Sequence, residues 1–338
     1  MDHEALLAWY AGRQRPLPWR LEVSAWRTLV SELMCQQTRI ETVLPYFARF
    51  MEAFPTPLAL AEAPTERVLE LWSGLGYYSR ARNLQRAAQA VVAAGGFPRT
   101  VEGLRGLPGV GPYTAGAIAS IVFGVDAPLV DGNVERVLAR WFAEPEPSRA
   151  WLWTRAAELV APGRAGEWNQ ALMELGSLVC VPRSPRCGEC PVRGDCGGAG
   201  NPEAYPRRKV KKAVPRREAV CAWVQRGDRV LLVRRPETGR LAGLWELPGL
   251  EGEGNGLDSL GNHLHSALGL RVRSARLCGT VNHTFSHLQL DTAVYVVEAD
   301  GEPAVVEGGE LRWVDVAGLE GVALSTLAKK TLELGGQG

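Results

Sequence analysis

Two carboxylates in the first half of the chain occupy positions from which an acid side chain could do chemistry. Glu32 lies among apolar and amide residues in 'LVSELMCQQT' (29–38), and Asp131 precedes a helical run in 'LVDGNVERVLARWF' (129–142). An apolar setting raises the pKa of a carboxyl group, so that it can act as an acid near neutral pH. A second, ionised carboxylate can stabilise positive charge on a substrate, so the pair predicts divided roles.

Structural roles compete with chemistry at both positions. Asp131 stands where a helix N-cap belongs, and capping alone explains an aspartate there. Glu32 could instead be a core acid that forms a salt bridge with Arg27 or Arg39. The chemical interpretation therefore requires the two carboxylates to meet in one pocket.

Four of the seven cysteines follow the spacing C-x6-C-x2-C-x5-C in 'CVPRSPRCGECPVRGDC' (180–196). They are Cys180, Cys187, Cys190 and Cys196. In a cytosolic protein such density favours a metal centre over disulfides. Zinc and an iron–sulfur cluster both bind thiolates, so the spacing by itself leaves both open.

A glycine-rich turn opens a helix of small residues in 'LPGVGPYTAGAIAS' (107–120). Glycines let a backbone approach its ligand closely, and a helix start presents unpaired N–H groups that bind phosphate. A plain helix–turn–helix explains the pattern equally well. The stretch lacks G-K-[ST], which excludes a nucleotide-triphosphate P-loop.

The elements that must position these groups are helical over residues 1–180. Apolar residues recur three and four positions apart in the segments 26–34, 43–54, 82–94, 113–123, 134–142, 151–160 and 168–179. This spacing, without strand-like alternation, predicts an all-α domain. Farther along the chain, strands are predicted over 219–224, 229–235, 288–299 and 311–316, with helices over 259–269 and 325–334. The second domain is therefore predicted to be α+β.

Length and charge set limits on the function. A chain of 338 residues can bury two cores, and the absence of a long apolar run or leader pattern predicts a cytosolic protein. The net charge of +1 divides into 0 for residues 1–200, +5 for 201–218 and −4 for 219–338. The basic segment 201–218 is therefore predicted to be a linker. Its basic side chains either contact the phosphates of a nucleic acid or are solvated. Residues 1–200 contain no lysine, which excludes a lysine Schiff base there.

Together these motifs resemble the adenine DNA glycosylases, a branch of the helix-hairpin-helix superfamily that includes endonuclease III. The matching stretches are 'LPWR' (17–20), 'SELMCQQT' (31–38), 'GLGYYSRARNL' (74–84), 'LPGVGPYTAGAI' (107–118), 'VDGNVERVLAR' (130–140), 'NQALMELG' (169–176), the cysteine loop and 'HTFSH' (283–287). The resemblance implies a helical glycosylase domain over 1–200, a linker over 201–218 and a Nudix-like domain over 219–338. Within the first domain it implies a six-helix barrel over 22–130 and a cluster-bearing subdomain formed by 1–21 and 131–200.

The resemblance also implies an activity, the excision of adenine mispaired with 8-oxoguanine or guanine in duplex DNA. Glu32 falls on the family's catalytic acid and Asp131 on its catalytic aspartate, with Tyr113 and Asn133 beside them. The adenine pocket is implied at Arg15, Leu17, Trp19, Arg20, Gln170 and Glu174.

Contacts with DNA are implied in both domains. Gln37 and Tyr77 fall on positions that wedge into the duplex beside the oxidised guanine. Further positions are Gln36, Thr38, Leu107, Gly109, Val110 and Gly111 in the helical domain and Phe285, Ser286 and His287 in the second. Without the resemblance, 'HTFSH' is interpreted as a turn between strands.

The implied cofactor is one [4Fe–4S] cluster on the four cysteines, with a structural monovalent or divalent cation at the hairpin. The implied partner is duplex DNA, and the protein is expected to bind it as a monomer. The implied location is the cytoplasm, or the nucleoid in a prokaryote, and no membrane association is expected.

Departures from the family patterns refine these expectations. Bifunctional relatives carry a lysine where this chain has Tyr113, which predicts a glycosylase without lyase activity. Glu135 replaces a residue that is often basic, and Cys35 replaces the usual leucine. A working Nudix box needs several glutamates, and 'NHLHSALG' (262–269) has no acid, so metal-dependent pyrophosphate hydrolysis is not expected.

Overall fold

The computed structural model describes residues 1–207, 213–252, 256–304 and 310–337, and its contacts divide the chain into two compact units. The helical unit comprises Met1–Glu62 and Asn83–Val210, and the mixed unit comprises Ala63–Arg82 and Lys211–Gly338. The segment Ala63–Arg82 was predicted to belong to the helical domain, but the contacts of this segment group it with the mixed unit. Residues 208–212, which carry most of the basic charge of the linker, lie outside the described residues.

Residues 1–180 form helices and no strands. The helices are α1 (His3–Arg13), α2 (Pro18–Leu21), α3 (Ala25–Cys35), α4 (Ile40–Ala53), α5 (Pro57–Ala61), α6 (Thr65–Trp72), α7 (Ser79–Ala93), α8 (Val101–Arg105), α9 (Pro112–Ile121), α10 (Gly132–Trp141), α11 (Arg149–Glu158) and α12 (Ala165–Leu178). The all-α prediction is confirmed, and each of the seven predicted segments falls on a helix. The helices of four to eight residues were not predicted, because they contain too few apolar repeats to show a period. Helix α1, of 11 residues, was not among the predicted segments either.

The core that supports the site is formed by α1, α9, α10 and α12. Trp168 is completely buried at its centre, and the His3 ring packs edge-on against it with centroids 4.5 Å apart. Gly166 allows α12 to approach α9 closely, because a Cβ there would lie 2.6 Å from the carbonyl oxygen of Ser120. Small residues thus bring these helices close together.

Helices α8 and α9 form the predicted hairpin. Gly109 has a φ of +76°, and a Cβ at this position would lie 2.5 Å from the Cβ of Asn83. Glycine is therefore required here both by conformation and by space. The hairpin leads into α9, in which every residue from Thr114 to Ser120 is buried.

The mixed unit is built on a seven-stranded sheet. Its strands are β1 (Arg216–Arg226), β2 (Arg229–Arg234), β3 (Trp245–Glu246), β4 (Gly249–Glu251), β5 (Arg271–Thr284), β6 (Gln289–Asp300) and β7 (Glu310–Asp315). The main order is β3-β2-β1-β6-β5, with β4 also on β1 and β7 also on β2. Strands β1 and β6 are parallel, and the other pairs are antiparallel.

Two helices complete the mixed unit, α13 (Leu257–Leu268) and α14 (Thr326–Gly336). Leu260, Leu264 and Leu268 follow one face of α13 and are buried in the core with strands β1, β2 and β6. The predicted α+β class is confirmed. Among the helices of the described residues, none has the length and apolar character needed to span a membrane.

Candidate active site and cluster loop

A cavity of about 640 Å³ in the helical unit brings both candidate carboxylates together. Glu32 reaches it from the last turns of α3, and Asp131 from the start of α10. The other residues that line it are Arg15, Leu17, Trp19, Arg20, Cys35, Gln36, Gln37, Thr38, Arg39, Ile40, Glu41, Tyr113, Gly132, Asn133, Met173, Glu174 and Ser177. The cavity therefore collects residues from five separate stretches of the helical unit.

Glu32 has the environment of a proton donor. Burial raises the pKa of its carboxyl group to about 7, and the negative charge of Asp131 acts in the same direction. A hydrogen bond with Tyr113 and the positive charge of Arg20 oppose this rise. At neutral pH a substantial fraction of Glu32 is therefore protonated, as a general acid requires. Arg27, one alternative partner, forms its ion pair with Glu22 at 3.2 Å.

Asp131 is both a helix cap and a cavity residue. Its Oδ1 accepts hydrogen bonds from the backbone N–H groups of Asn133 at 2.9 Å and Val134 at 2.7 Å. Its Oδ2 accepts a third from the Asn133 side chain at 2.9 Å. Burial raises the pKa of Asp131, and these hydrogen bonds limit the rise because they stabilise the ionised form. Capping and cavity exposure are thus compatible at this residue.

Tyr113 lies on the first turn of α9 and faces both carboxylates. Burial, followed by the negative charges of Glu32 and Asp131, raises the pKa of its phenol well above the ordinary value. Its hydroxyl lies 3.3 Å from the Sδ of Met173. Tyr113 therefore remains a neutral hydroxyl that can donate to a carboxylate.

A buried ion triad forms one wall of the cavity. Glu174 is completely buried, and it accepts hydrogen bonds from Arg15 Nε at 2.7 Å, Arg15 Nη2 at 3.0 Å and Arg20 Nη2 at 2.9 Å. Burial raises the pKa of Glu174, but the two guanidinium groups outweigh it and the pKa is lowered overall. The wall is therefore charged and fixed in geometry, since bidentate arginine–carboxylate pairs are directional.

Some cavity residues were not predicted from the sequence. Met173 and Ser177 lie beside Glu174 on one face of α12, and Ser177 Oγ accepts a hydrogen bond from Arg15 Nη2 at 3.3 Å. Their spacing from Glu174 along the helix was the available signal. Gln170, which was predicted, does not line this cavity, and its side chain donates to the carbonyl of Gly166 at 3.2 Å.

Two other predicted contact residues have an unusual backbone. Gln37 follows α3 with a φ of 57°, and Tyr77, in the mixed unit, has a φ of 48°. Left-handed backbone is rare for residues other than glycine and clusters at functional sites. Both side chains are exposed.

An arginine connects the carboxylate side of the site to the cysteine loop. Arg136 donates to the side-chain oxygen of Asn133 at 2.9 Å, to the carbonyl of Gly176 at 2.6 Å and to the carbonyl of Cys180 at 2.7 Å. Asn133 in turn donates to Asp131. The position of Asp131 is thus mechanically linked to the first cysteine.

The four cysteines lie close enough for their charges to act on one another. Burial raises the pKa of the Cys190 thiol to about 11, and the charges of Cys180, Cys196 and Cys187 add to the rise. Burial and the neighbouring cysteines therefore disfavour the thiolate form of Cys190 when no positive charge lies beside it. All four are free of disulfides, and the buried Arg140 lies with Nη1 3.4 Å from the Sγ of Cys180. In the described part of the chain, no three His, Cys, Asp or Glu side chains are arranged to hold a single metal ion.

The residues predicted to recognise 8-oxoguanine lie in the turn between β5 and β6. The Phe285 N–H donates to the carbonyl of Leu288 at 2.8 Å, which agrees with the prediction of a turn between two strands. The Phe285 ring packs against His283 with centroids 4.5 Å apart, and the Arg240 guanidinium lies 4.8 Å from its centroid. Ser286 and His287 are exposed at the tip.

Comparison with known proteins covers both domains and the loop. Residues 30–162 match the model of the HhH-GPD superfamily base excision DNA repair proteins. Residues 180–196 match the iron-sulfur binding domain of endonuclease III, and residues 219–334 match a NUDIX domain. The cysteine loop is thus an iron–sulfur loop, and zinc is set aside in favour of the predicted [4Fe–4S] cluster.

Solved structures share the fold of the helical part. A thermostable thymine-DNA glycosylase has a TM-score of 0.55 at 26% identity and covers 58% of this chain and 94% of its own. Endonuclease III in a trapped covalent intermediate with DNA has a TM-score of 0.51 at 25% identity, and the match covers 58% of this chain and 93% of the endonuclease chain.

Relatives match almost the whole chain. The adenine DNA glycosylase of Rattus norvegicus is 39% identical over 97% of this chain and 77% of its own length. The adenine DNA glycosylase of Homo sapiens is 38% identical, and the match covers 98% of this chain and 73% of the human protein. The match spans the carboxylate-bearing helices, the cysteine loop and the Nudix-like domain, so this chain belongs to the adenine DNA glycosylases, the enzymes of base excision repair.

Proposed function

We propose that this enzyme removes adenine that lies opposite 8-oxoguanine or guanine in duplex DNA, with Glu32 and Asp131 cleaving the N-glycosidic bond. The observation that carries the proposal is that one cavity holds both carboxyl groups while burial raises the pKa of Glu32 to about 7. A stacked base cannot reach such a cavity, so the adenine nucleotide must be flipped out of the duplex.

The chemistry divides between the two acids. Protonated Glu32 donates its proton to N7 of adenine, so the electron pair of the breaking C1′–N9 bond leaves on a neutral base. Ionised Asp131 stabilises the positive charge that develops on the sugar. Water then adds to C1′ and its released proton ends on the Glu32 carboxylate, which restores the starting protonation and leaves an abasic site.

The wall of the cavity suits a planar, polar base. Arg15, Arg20 and Glu174 hold one another in a fixed array, so their donors do not have to reorganise when a base enters. Leu17 and Trp19 supply apolar surface next to this array. The Trp19 ring is itself held edge-on against Phe47, with centroids 5.0 Å apart. Tyr113 and Asn133 orient the carboxylates.

The product is an intact abasic site. Lyase chemistry in bifunctional relatives requires a lysine amine, and Tyr113 occupies that position in this chain. A phenol carries no amine nitrogen, so Tyr113 cannot form a Schiff base with the abasic sugar. The enzyme therefore acts as a monofunctional glycosylase.

DNA is held by groups outside the cavity. The hairpin Leu107, Gly109, Val110 and Gly111 offers backbone N–H groups to a phosphate at the start of α9. Gln36, Gln37 and Thr38 border the cavity and contact the strand that carries the flipped nucleotide or its partner. Tyr77 wedges beside the oxidised guanine, and Phe285, Ser286 and His287 recognise that base.

A single-turnover assay tests the proposal. The enzyme, in excess, is mixed with duplexes that carry adenine opposite 8-oxoguanine, guanine or thymine. We expect fast adenine release from the first duplex, slower release from the second and little from the third. Equal rates on all three would contradict the mispair preference, and release of an oxidised pyrimidine in place of adenine would contradict the substrate.

A further inference from the structure

The turn that carries Tyr77 has an unfavourable backbone that something must hold. Between α6 and α7, Gly74, Gly76 and Tyr77 have φ values of 105°, 72° and 48°. Glycine adopts these values readily, but a tyrosine does so at a cost in free energy. Such a residue persists where surrounding contacts over-determine its conformation. Tyr77 is nevertheless 43% exposed, so its own side chain contributes little of that restraint.

Contacts within the turn supply part of the restraint. The Trp72 indole donates to the carbonyl of Gly76 at 3.2 Å, and the Arg80 guanidinium donates to the same carbonyl at 3.1 Å. The Arg80 guanidinium also lies 5.3 Å from the centroid of the Tyr77 ring. The hydroxyl of Tyr78 accepts a hydrogen bond from the Gly74 N–H at 3.1 Å.

The remaining restraint comes from the C-terminal part of the mixed unit. Ser73 Oγ donates to the carbonyl oxygen of Leu324 at 2.7 Å, and the Tyr78 hydroxyl donates to the same oxygen at 2.9 Å. A carbonyl has two lone pairs and can accept both. All three residues are buried, with exposed fractions of 9% for Ser73, 4% for Tyr78 and 2% for Leu324. Two residues that flank the turn are thus fixed on one buried acceptor.

Trp245 fixes that acceptor and the start of α6 together. Its backbone N–H donates to the carbonyl of Ala323 at 3.0 Å, and it forms a β-bridge with Leu324. Its indole donates to Glu66 at 3.1 Å, and Arg312 forms an ion pair with the same carboxylate at 3.1 Å. The segment Ala63–Arg82 is therefore held at both of its ends by the Nudix-like fold.

We propose that the Nudix-like domain positions Tyr77 for insertion into DNA, through hydrogen bonds from Ser73 and Tyr78 to the Leu324 carbonyl. Ser73 and Tyr78 are then positioning residues that act only through Tyr77. The domain assigned to 8-oxoguanine recognition thus has a second task, to preform the aromatic wedge. The proposal rests on the proposed role of Tyr77 in DNA binding.

A double-mutant cycle in the full chain tests it. The double variant Ser73→Ala/Tyr78→Phe removes both hydroxyl donors and keeps the side-chain shapes. It is compared with Tyr77→Ala and with the combined triple variant in single-turnover adenine release at subsaturating enzyme. We expect the double variant to be slower by about tenfold, the scale of two lost buried hydrogen bonds. The matched control is Ser274→Ala/Tyr295→Phe, which removes the same two groups elsewhere in the Nudix-like domain.

The triple variant decides the outcome. If Ser73 and Tyr78 act through Tyr77, the triple variant is no slower than Tyr77→Ala, and thermal melting of each variant checks that the fold is retained. Losses that multiply, or a double variant as fast as its control, would overturn the proposal. Release of no adenine by the unmodified enzyme from either mispair would instead end the proposed function.

Discussion

Glu32 near the end of α3 and Asp131 at the N-cap of α10 line one cavity, although the helices that carry them lie far apart in the sequence. Their environments differ. Glu32 is desolvated by burial with a hydrogen bond to the Tyr113 side chain, whereas Asp131 accepts hydrogen bonds from two backbone N–H groups and the Asn133 amide. Burial therefore favours the protonated form of Glu32, while the hydrogen bonds to Asp131 oppose the effect of burial there and favour its ionised form.

Replacement of Asp131 by asparagine separates capping from chemistry. Asparagine caps helices about as well as aspartate but carries no charge. We expect Asp131→Asn to melt within a few degrees of the unmodified enzyme but to release adenine about 100-fold more slowly or worse, the scale of one lost electrostatic group. Ser148→Asn, a change at the N-cap of α11, serves as the control. An Asp131→Asn variant with unmodified activity would show that capping is the only role of this residue.

The rate of adenine release should depend on pH through Glu32. The pKa of this carboxyl group is raised to about 7 by burial, and the acid acts when protonated. The single-turnover rate should therefore be high below pH 7 and fall by about tenfold per pH unit well above it. A rate that rises steadily through this range would contradict the assignment of Glu32 as the proton donor.

The same pKa predicts an effect on stability. Because the folded pKa of Glu32 lies above its ordinary value, the folded state binds a proton that the unfolded state releases, and this contribution is lost as pH rises through about 7. Glu32→Gln removes the cost of the buried charge at alkaline pH. Its melting temperature, relative to the unmodified enzyme, should be higher at about pH 8.5 than at about pH 5. A difference that shrinks at alkaline pH would mean that Glu32 is not desolvated in solution.

Cluster retention should depend on Arg140. This buried side chain donates to the carbonyls of Cys180, Val181 and Pro182 at 3.2, 2.8 and 3.2 Å. Loss of this guanidinium removes a donor from three consecutive carbonyls of the cysteine loop, so the loop is held less firmly. We expect purified Arg140→Gln to contain less iron and less visible absorbance from the cluster. Arg193→Gln, an exposed change in the same loop, should retain both, and equal iron in the two variants would contradict this role.

Borohydride should trap no covalent complex between this enzyme and DNA. Trapping reduces a Schiff base, and residues 1–200 contain no lysine to form one. Endonuclease III, assayed on its own substrate, is the positive control for the reagent. A trapped adduct that maps to the helical domain would show that another amine acts as the nucleophile.

The two candidate carboxylates, the cysteine loop and most long helices could be located in the sequence because their signals are local. Asp131 precedes an amphipathic run, and the cysteine spacing lies within one short loop. Met173 and Ser177 were missed because the residue types on the cavity face of α12 do not differ from those on the other faces of this helix. Only the fold shows which face meets Arg15.

Strand β5 and the segment Ala63–Arg82 were missed for different reasons. Strand β5 lies at the edge of the sheet and alternates poorly between buried and exposed residues, so its sequence lacks a period of two. The grouping of Ala63–Arg82 with the mixed unit depends on hydrogen bonds from Ser73 and Tyr78 to a backbone carbonyl. Because the acceptor is a backbone carbonyl, which every residue has, the side chain of Leu324 gives no sign of these hydrogen bonds in the sequence.

The most direct test of the two-carboxylate mechanism is single-turnover adenine release by Glu32→Gln from a duplex with adenine opposite 8-oxoguanine, measured with DNA affinity. Glutamine keeps the size and hydrogen bonding of the side chain but cannot donate the proton. The mechanism predicts binding close to that of the unmodified enzyme and release slower by about 100- to 10,000-fold. Release at the unmodified rate, with DNA bound equally well, would contradict it.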